Sequence, residues 1–145
     1  MQDRFRYRVF DNDDRKMHNV IFLNYENNSV EWYNDNNKKR AAFIGEVPIV
    51  QCTGLKDKND KLIYEGDIVK YFCPAEYCSD GVHKCPECYS GENGSVHYDE
   101  DLAMYEYRSK SDECPLTDNI NTEEELEIIG NIYENPELLE IGVLA

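Results

Sequence analysis

No apolar run of roughly eighteen residues or more occurs in this chain, so the sequence encodes no helical membrane span. Its first residues, Met1-Gln2-Asp3-Arg4-Phe5-Arg6, lack the apolar centre of a secretory signal. Basic side chains are scarce: 15 Lys and Arg stand against 30 Asp and Glu, a net charge of −15. That balance excludes attraction of the whole protein to phosphate backbones or anionic lipid. Glycine-rich phosphate loops and dinucleotide fingerprints are missing, as are internal repeats, low-complexity tracts and any long amphipathic helix. What is present is 41% hydrophobic residues, eleven Tyr among them, enough for a core. The expectation is a soluble cytoplasmic protein, in which six cysteines serve as thiols or metal ligands rather than disulfides.

The charge is unevenly placed. Residues 1–50 carry 8 basic and 8 acidic side chains and residues 51–72 carry 4 of each, so the excess lies wholly in residues 73–145, with 3 basic and 18 acidic. An acidic half of this kind is either a solvated surface or a face for a basic partner. Opposite charges in the two halves could also pair between subunits, which would make a homo-oligomer.

Short strands dominate the pattern. Phe5, Tyr7 and Val9 alternate with Arg4, Arg6 and Arg8, the period of a half-buried strand with three arginines on one solvated face. Asp11-Asn12-Asp13-Asp14 reads as a turn. Val20–Tyr25 and Ser29–Tyr33 flank Asn27-Asn28 as a hairpin. The polar stretch Asn34–Arg40 suggests a boundary between lobes, and Gly45 and Pro48 split Ala41–Cys52 into an edge strand or two short pieces. Leu62-Ile63-Tyr64 leads through the tight turn Glu65-Gly66-Asp67 into the strand Ile68–Phe72. Ser95–Tyr98 and Met104–Arg108 flank the acidic turn Asp99-Glu100-Asp101, and Ser109–Asn121 reads as loop. Glu125–Tyr133 holds a last strand in which Gly130 invites a bulge, followed by a short helical turn from Asn135. The expected class is mainly β: an N-terminal β-rich lobe over residues 1–50 and a second lobe over residues 51–145, with a Cys-rich insertion at 73–94.

Two segments carry a family signature, Gln51-Cys52-Thr53-Gly54-Leu55-Lys56-Asp57-Lys58-Asn59-Asp60-Lys61-Leu62-Ile63-Tyr64-Glu65-Gly66-Asp67-Ile68-Val69 and Ile128-Ile129-Gly130-Asn131-Ile132-Tyr133-Glu134-Asn135-Pro136-Glu137-Leu138-Leu139. Together they resemble the YopX proteins of phages and prophages in Gram-positive bacteria. The opening Tyr7-Arg8-Val9-Phe10-Asp11 and Met17 fit the same pattern, with Phe10 where a Trp is usual. The resemblance implies a C-terminal SH3-like barrel beside a smaller N-terminal lobe, and it implies no reaction. Asp60 departs from the pattern, since a Gly commonly completes this turn, and the turn is expected to be reshaped. The Cys-rich insertion is the larger departure. Elsewhere Gly54, Asp57, Asn59, Gly66 and Asp67 read as turn residues and Tyr64, Ile68 and Val69 as core, with a ligand groove between the lobes as the alternative.

Cys73-x4-Cys78-x6-Cys85-x2-Cys88 has the composition of a structural zinc site, because four thiolates within sixteen residues can wrap one tetrahedral ion. His83 competes as a fourth ligand, and reduced loop thiols or disulfides are the alternatives. With all four positions filled by protein, zinc would order the loop without catalysing anything. Cys52 reads as a small buried hydrophobe, and Cys114 sits in a polar loop. No local motif pairs a Cys with His18, His83 or His97, and no carboxylate pair stands out.

The functional expectation is a non-enzymatic accessory protein in the cytoplasm of the host bacterium that binds a host or phage protein. Its acidic, Tyr-rich surface around Tyr98, Tyr105 and Tyr107 would serve as the contact, in one version as an acidic decoy for a basic host site. The competing expectation is a nucleic-acid-associated regulator using Arg4, Arg6 and Arg8, with Tyr7, Trp32 and Tyr33 near in sequence for stacking.

Overall fold

The computed structural model describes residues 2–71, 93–109, 113–116, 123 and 126–139. The four candidate zinc ligands Cys73, Cys78, Cys85 and Cys88, together with His83, lie outside them. Two antiparallel sheets hold every strand of the described residues, and helix is confined to single turns among them.

The first sheet has the order β4-β3-β2-β1-β5-β6. Its strands are β1 (Tyr7–Asp11), β2 (Lys16–Asn24), β3 (Ser29–Tyr33), β4 (Lys39–Phe43), β5 (Ile49–Lys56) and β6 (Leu62–Tyr64). Tight polar turns make the meander possible. Arg15, Asn28 and Asn37 take left-handed φ of 59°, 58° and 59°, the conformation that lets two residues reverse a strand. On one face Val9, Val30 and Trp32 form a buried cluster with Val20, Leu23, Ala42 and Ile49. On the other Val50, Cys52 and Tyr64 pack with Met17, Leu62 and Tyr133, so Val9 and Phe10 are both buried although they are neighbours in one strand.

The second sheet, β10-β9-β8-β7-β11, comprises β7 (Asp67–Tyr71), β8 (Gly94–Asp99), β9 (Met104–Arg108), β10 (Glu113–Pro115) and β11 (Leu126–Asn131). Val69, Val96, Tyr107, Leu116 and Leu126 form its core, and Ile63 from β6 and Leu55 from β5 join them. These two strands therefore hydrogen-bond in one sheet and pack into the core of the other. The boundary expected after residue 50 falls inside β5, and Asn34–Lys38 is a hairpin turn within the first sheet rather than a linker. No pairing closes the second sheet into a barrel among the described residues.

The two signature segments meet at the seam. Lys58 donates its backbone N–H to Leu126 O at 2.8 Å, and Asp57 Oδ2 accepts from the Ile128 N–H at 2.9 Å. Gly66 donates to Val96 O at 2.7 Å and accepts from Ile132 N at 2.8 Å. With φ at 87° and Tyr133 Cε2 lying 3.3 Å from where a Cβ would be, Gly66 has both a backbone and a packing reason to lack a side chain. At Gly130, where the β7–β11 register slips, a Cβ would meet Asn135 Oδ1 at 2.6 Å. Phe10 and Tyr133 stack across the seam, their centroids 5.5 Å apart.

Candidate recognition surface

Arg6, just before β1, and Arg8, within it, end differently. Arg6 is exposed and pairs with Asp3 at 3.3 Å. Arg8 lays its guanidinium over the Tyr64 ring, 4.0 Å from the centroid, and its Nε donates to Asn19 Oδ1 at 3.4 Å. Stacking and a single weak hydrogen bond leave most of the five guanidinium donors without an acceptor among the described residues. Burial raises the Tyr64 pKa despite the opposing charge of Arg8, so the ring under the guanidinium is a neutral phenol. Arg4 does not share this strand: Gln2–Phe5 is a 3-10 turn closed by the Arg6 N–H on Asp3 O at 3.1 Å, and β1 begins only at Tyr7. The alternation of arginines continued the strand pattern into a segment that folds as a turn.

Beside these arginines lies a groove of about 400 Å³ lined by Phe5, Arg6, Tyr7, Asn19, Val20, Ile21, Phe22, Leu23 and Tyr64. Phe5 is 77% exposed and Phe22 51%, with Ile21 similarly open. The cause is local. The β2–β3 register slips between Val20 and Phe22, which breaks the strict alternation and turns both Ile21 and Phe22 outward. Sequence reasoning missed this groove, because Phe5 fell on the apolar side of its alternation and no local signal marks the register slip beside Phe22.

The expected tyrosine surface divides. Tyr98 is 41% exposed and meets Tyr105 edge-to-face at 5.1 Å. Tyr107 is fully buried, a correction to its reading as a contact residue: it packs in the core with Val69, Val96 and Leu126, and its ring fills the space a Cβ on Gly94 would need. The Asp99–Ala103 turn between β8 and β9 is closed by Asp99 Oδ1, which accepts from Asp101 N at 2.9 Å and Leu102 N at 3.2 Å. Glu100, Asp101 and Leu102 are left exposed at its tip.

Two polar groups invite a chemical reading. Asp11, Asp14 and His18 bring one ligand atom each within 4.8 Å of one another. Their lone pairs are already engaged. Asp11 accepts from the Trp32 indole N–H at 2.9 Å and from Asp13 N at 2.8 Å, and Asp14 Oδ2 meets His18 Nε2 at 2.6 Å. Burial opposes ionisation of Asp11, but Trp32, the Asp13 and Asp14 amides and Arg40 outweigh it and hold the carboxyl below its ordinary pKa. The trio closes the β1–β2 turn. On β8, Ser95 Oγ lies 2.6 Å from His97 Nε2, and burial, aided by Arg108, lowers the imidazole's pKa, so it is neutral near pH 7. Ser95 is 5% exposed, which leaves a substrate no approach to its oxygen. Cys52 is free and buried, and burial raises its thiol pKa, the state of an unreactive core cysteine. No described helix is long and apolar enough to cross a membrane.

Comparison with known proteins places these features. Residues 6–140 match the family described as YopX protein. The chain is similar to the crystal structure of protein EF1440 from Enterococcus faecalis, at 25% identity and a TM-score of 0.54, over 92% of this chain and 96% of that one. No curated protein matches it.

Proposed function

The chain belongs to the YopX family, and on that premise we propose that it is a non-enzymatic, phage-associated protein-binding module of the bacterial cytoplasm, docking its partner on the groove between Phe5 and Phe22. The observation that carries this reading is the exposure of Phe5, Ile21 and Phe22 around one concavity with Arg6 on its wall. Large apolar side chains left in water at a concave site, with an arginine that can fork onto a carboxylate, have the composition of a protein-binding hot spot. The SH3-like barrel implied for the C-terminal part belongs to the same reading, with the five-stranded antiparallel sheet as its support. So does structural zinc on Cys73, Cys78, Cys85 and Cys88, which rests on their spacing.

The test is affinity capture from the bacterial host with the native chain and with Phe22→Glu. The native chain should retain a protein that Phe22→Glu loses at least tenfold, while Tyr98→Ala keeps it. Equal capture by Phe22→Glu would overturn the reading. A second reading, an acidic decoy, is favoured by the Asp99–Ala103 turn, whose tip offers Glu100 and Asp101 beside an exposed Leu102; it predicts the reverse, loss with Glu100→Lys and retention with Phe22→Glu. If binding in a salt-dependent gel shift disappears with Arg6→Glu and Arg8→Glu, nucleic acid replaces protein as the partner.

A further inference from the structure

Strand β4 ends the first sheet, and its backbone is set to pair once more. The β3–β4 ladder is bonded at Asn28–Ile44, where Ile44 N donates to Asn28 O at 2.8 Å, and at Asn34–Lys38, where Asn34 N donates to Lys38 O at 3.0 Å. Bonded pairs alternate along an antiparallel ladder, so with this register Val30–Ala42 and Trp32–Arg40 are bonded too. Lys39, Ala41 and Phe43 are then the residues whose N–H and C=O point away from the sheet, and of these groups the Phe43 carbonyl accepts the Glu46 N–H at 3.0 Å. Their side chains are the exposed ones of the strand, Phe43 at 60%.

Among the described residues this edge is blunted only at its end, where the Glu46 N–H takes the Phe43 carbonyl. It contains no proline, its register with β3 runs without a slip from Tyr33–Lys39 to Ser29–Phe43, and no inward charge is left unpaired. Lys39, the residue that would guard it, bends back onto its own sheet to Glu31 at 3.0 Å. Arg40 is held by Asp11 and Asp13. The other ends of the two sheets differ: β6 and β10 have three residues each, and the register of β11 is broken by a bulge.

We propose that β4 is a self-association strand, which pairs antiparallel with β4 of a second copy about a twofold axis through Ala41. In that register Ala41 faces Ala41 and exchanges two backbone hydrogen bonds, and Lys39 faces Phe43, where the Phe43 N–H donates to the Lys39 carbonyl of the other copy. The alkyl stem of Lys39 covers the Phe43 ring, and the small Ala41 leaves the axis free of clashes. The two Lys39 ammonium groups stand about 14 Å apart along the strands, beyond the screening length at physiological salt, and each is already neutralised by Glu31. A hollow of about 290 Å³ lined by Ser29, Ala41, Ala42, Phe43 and Glu46 borders the edge and receives side chains of the incoming strand. A second copy fits this strand better than a foreign peptide, because the sequence Lys-Arg-Ala-Ala-Phe is complementary to its own reverse: cation against aromatic at both ends, Ala against Ala at the centre.

The experiment is sedimentation of the full chain across a broad dilution series, for the native sequence, Ala41→Pro and Phe43→Lys. Proline at 41 deletes an outward N–H that the folded chain does not use, so it stops the edge and leaves the β3–β4 ladder whole. Phe43→Lys keeps every backbone group and sets lysine against lysine. The native chain should sediment with twice the mass of one chain, and both variants with half of that and an unchanged far-UV spectrum. Monomeric native protein at all concentrations overturns the proposal. So does a dimer that survives in both variants, which would rest on another surface. A native monomer that nonetheless gains an extended peptide at β4, lost in Ala41→Pro, also overturns it in favour of a foreign strand. None of these outcomes depends on the Phe22 groove, so the two proposals stand or fall separately.

Discussion

Asp67 keeps a carboxyl where water scarcely reaches. Burial is the largest influence on it and raises its pKa from the ordinary 3.8 to about 7, with Asp57 adding to the rise. The Tyr64 N–H, donating to Oδ2 at 2.8 Å, and the charge of Arg8 recover only part of that cost. The consequence is a stability that depends on pH with a fixed sign. Between about 4 and 7 folded Asp67 keeps a proton that the unfolded chain has released, so the contribution of this group to stability is greatest below pH 4, falls as pH rises towards 7, and levels off above it. The full span amounts to at most about 4 kcal/mol. Asp67→Asn retains an oxygen for the Tyr64 N–H and cannot ionise. Urea midpoints at pH 5 and pH 8 should therefore lie closer together in Asp67→Asn than in the native protein, with the variant the more stable at pH 8. Equal pH dependence in both would show that the proton is not held at Asp67.

The turn between β5 and β6 shows how an element settles a conflict between local preference and tertiary bonding. Asp60 occupies the left-handed region at φ 64°, the conformation that a glycine adopts most easily. Asp60 N donates to Asp57 O at 3.0 Å and Asp57 N to Lys61 O at 2.8 Å, while Asp57 Oδ1 takes the Asn59 and Lys61 amides at 2.9 and 3.0 Å. Asp57 thus holds the turn while its other oxygen holds β11, and Asp60 bears the strain. Asp60→Gly should raise stability by about 0.5–1 kcal/mol, read as a higher urea midpoint at unchanged slope. A lower midpoint would mean that the 3.2 Å pairing of Asp60 with Lys56 outweighs the backbone cost. The same elements mark how far the sequence was legible. The period-two runs and Asn-rich turns of β2 and β3, the Glu65-Gly66 turn and the bulge at Gly130 are local signals, and the strands follow them. The sharing of β5 and β6 between two cores was not legible, because Leu55 and Ile63 look the same whichever sheet receives them. Neither was the groove, which exists because β2 slips against β3, nor the burial of Tyr107, which depends on Gly94 of a neighbouring strand.

At the scale of the whole molecule, two sheets are joined through shared strands. β7 and β8 are paired at Ile68–Ser95 and Val69–Gly94, and 22 residues of sequence, 72–93, connect these strands. For a chain of this length without order of its own, bringing the two ends together would cost about 3 kcal/mol of entropy, in a sheet that supplies the 0%-exposed Val69 and Val96 of the core. A zinc ion on Cys73, Cys78, Cys85 and Cys88 would reduce that cost by tying the connection to itself a few residues from both strands. Four thiolates and one divalent ion would also leave that site anionic, adding to the acidity already concentrated beyond residue 72. The expectation is one zinc per chain in the purified protein, and none when Cys85 and Cys88 are both replaced by Ser. Loss of metal should lower stability by about 2 kcal/mol, and hydrogen exchange should locate the loss: amides of β7 and β8 lose protection, while those of β1–β3, held by the separate core of Val9, Val30 and Trp32, keep theirs. Unchanged metal content in the double Ser variant, or a native protein without zinc, would leave the cysteines as ordinary thiols and the connection to close at its full entropic cost.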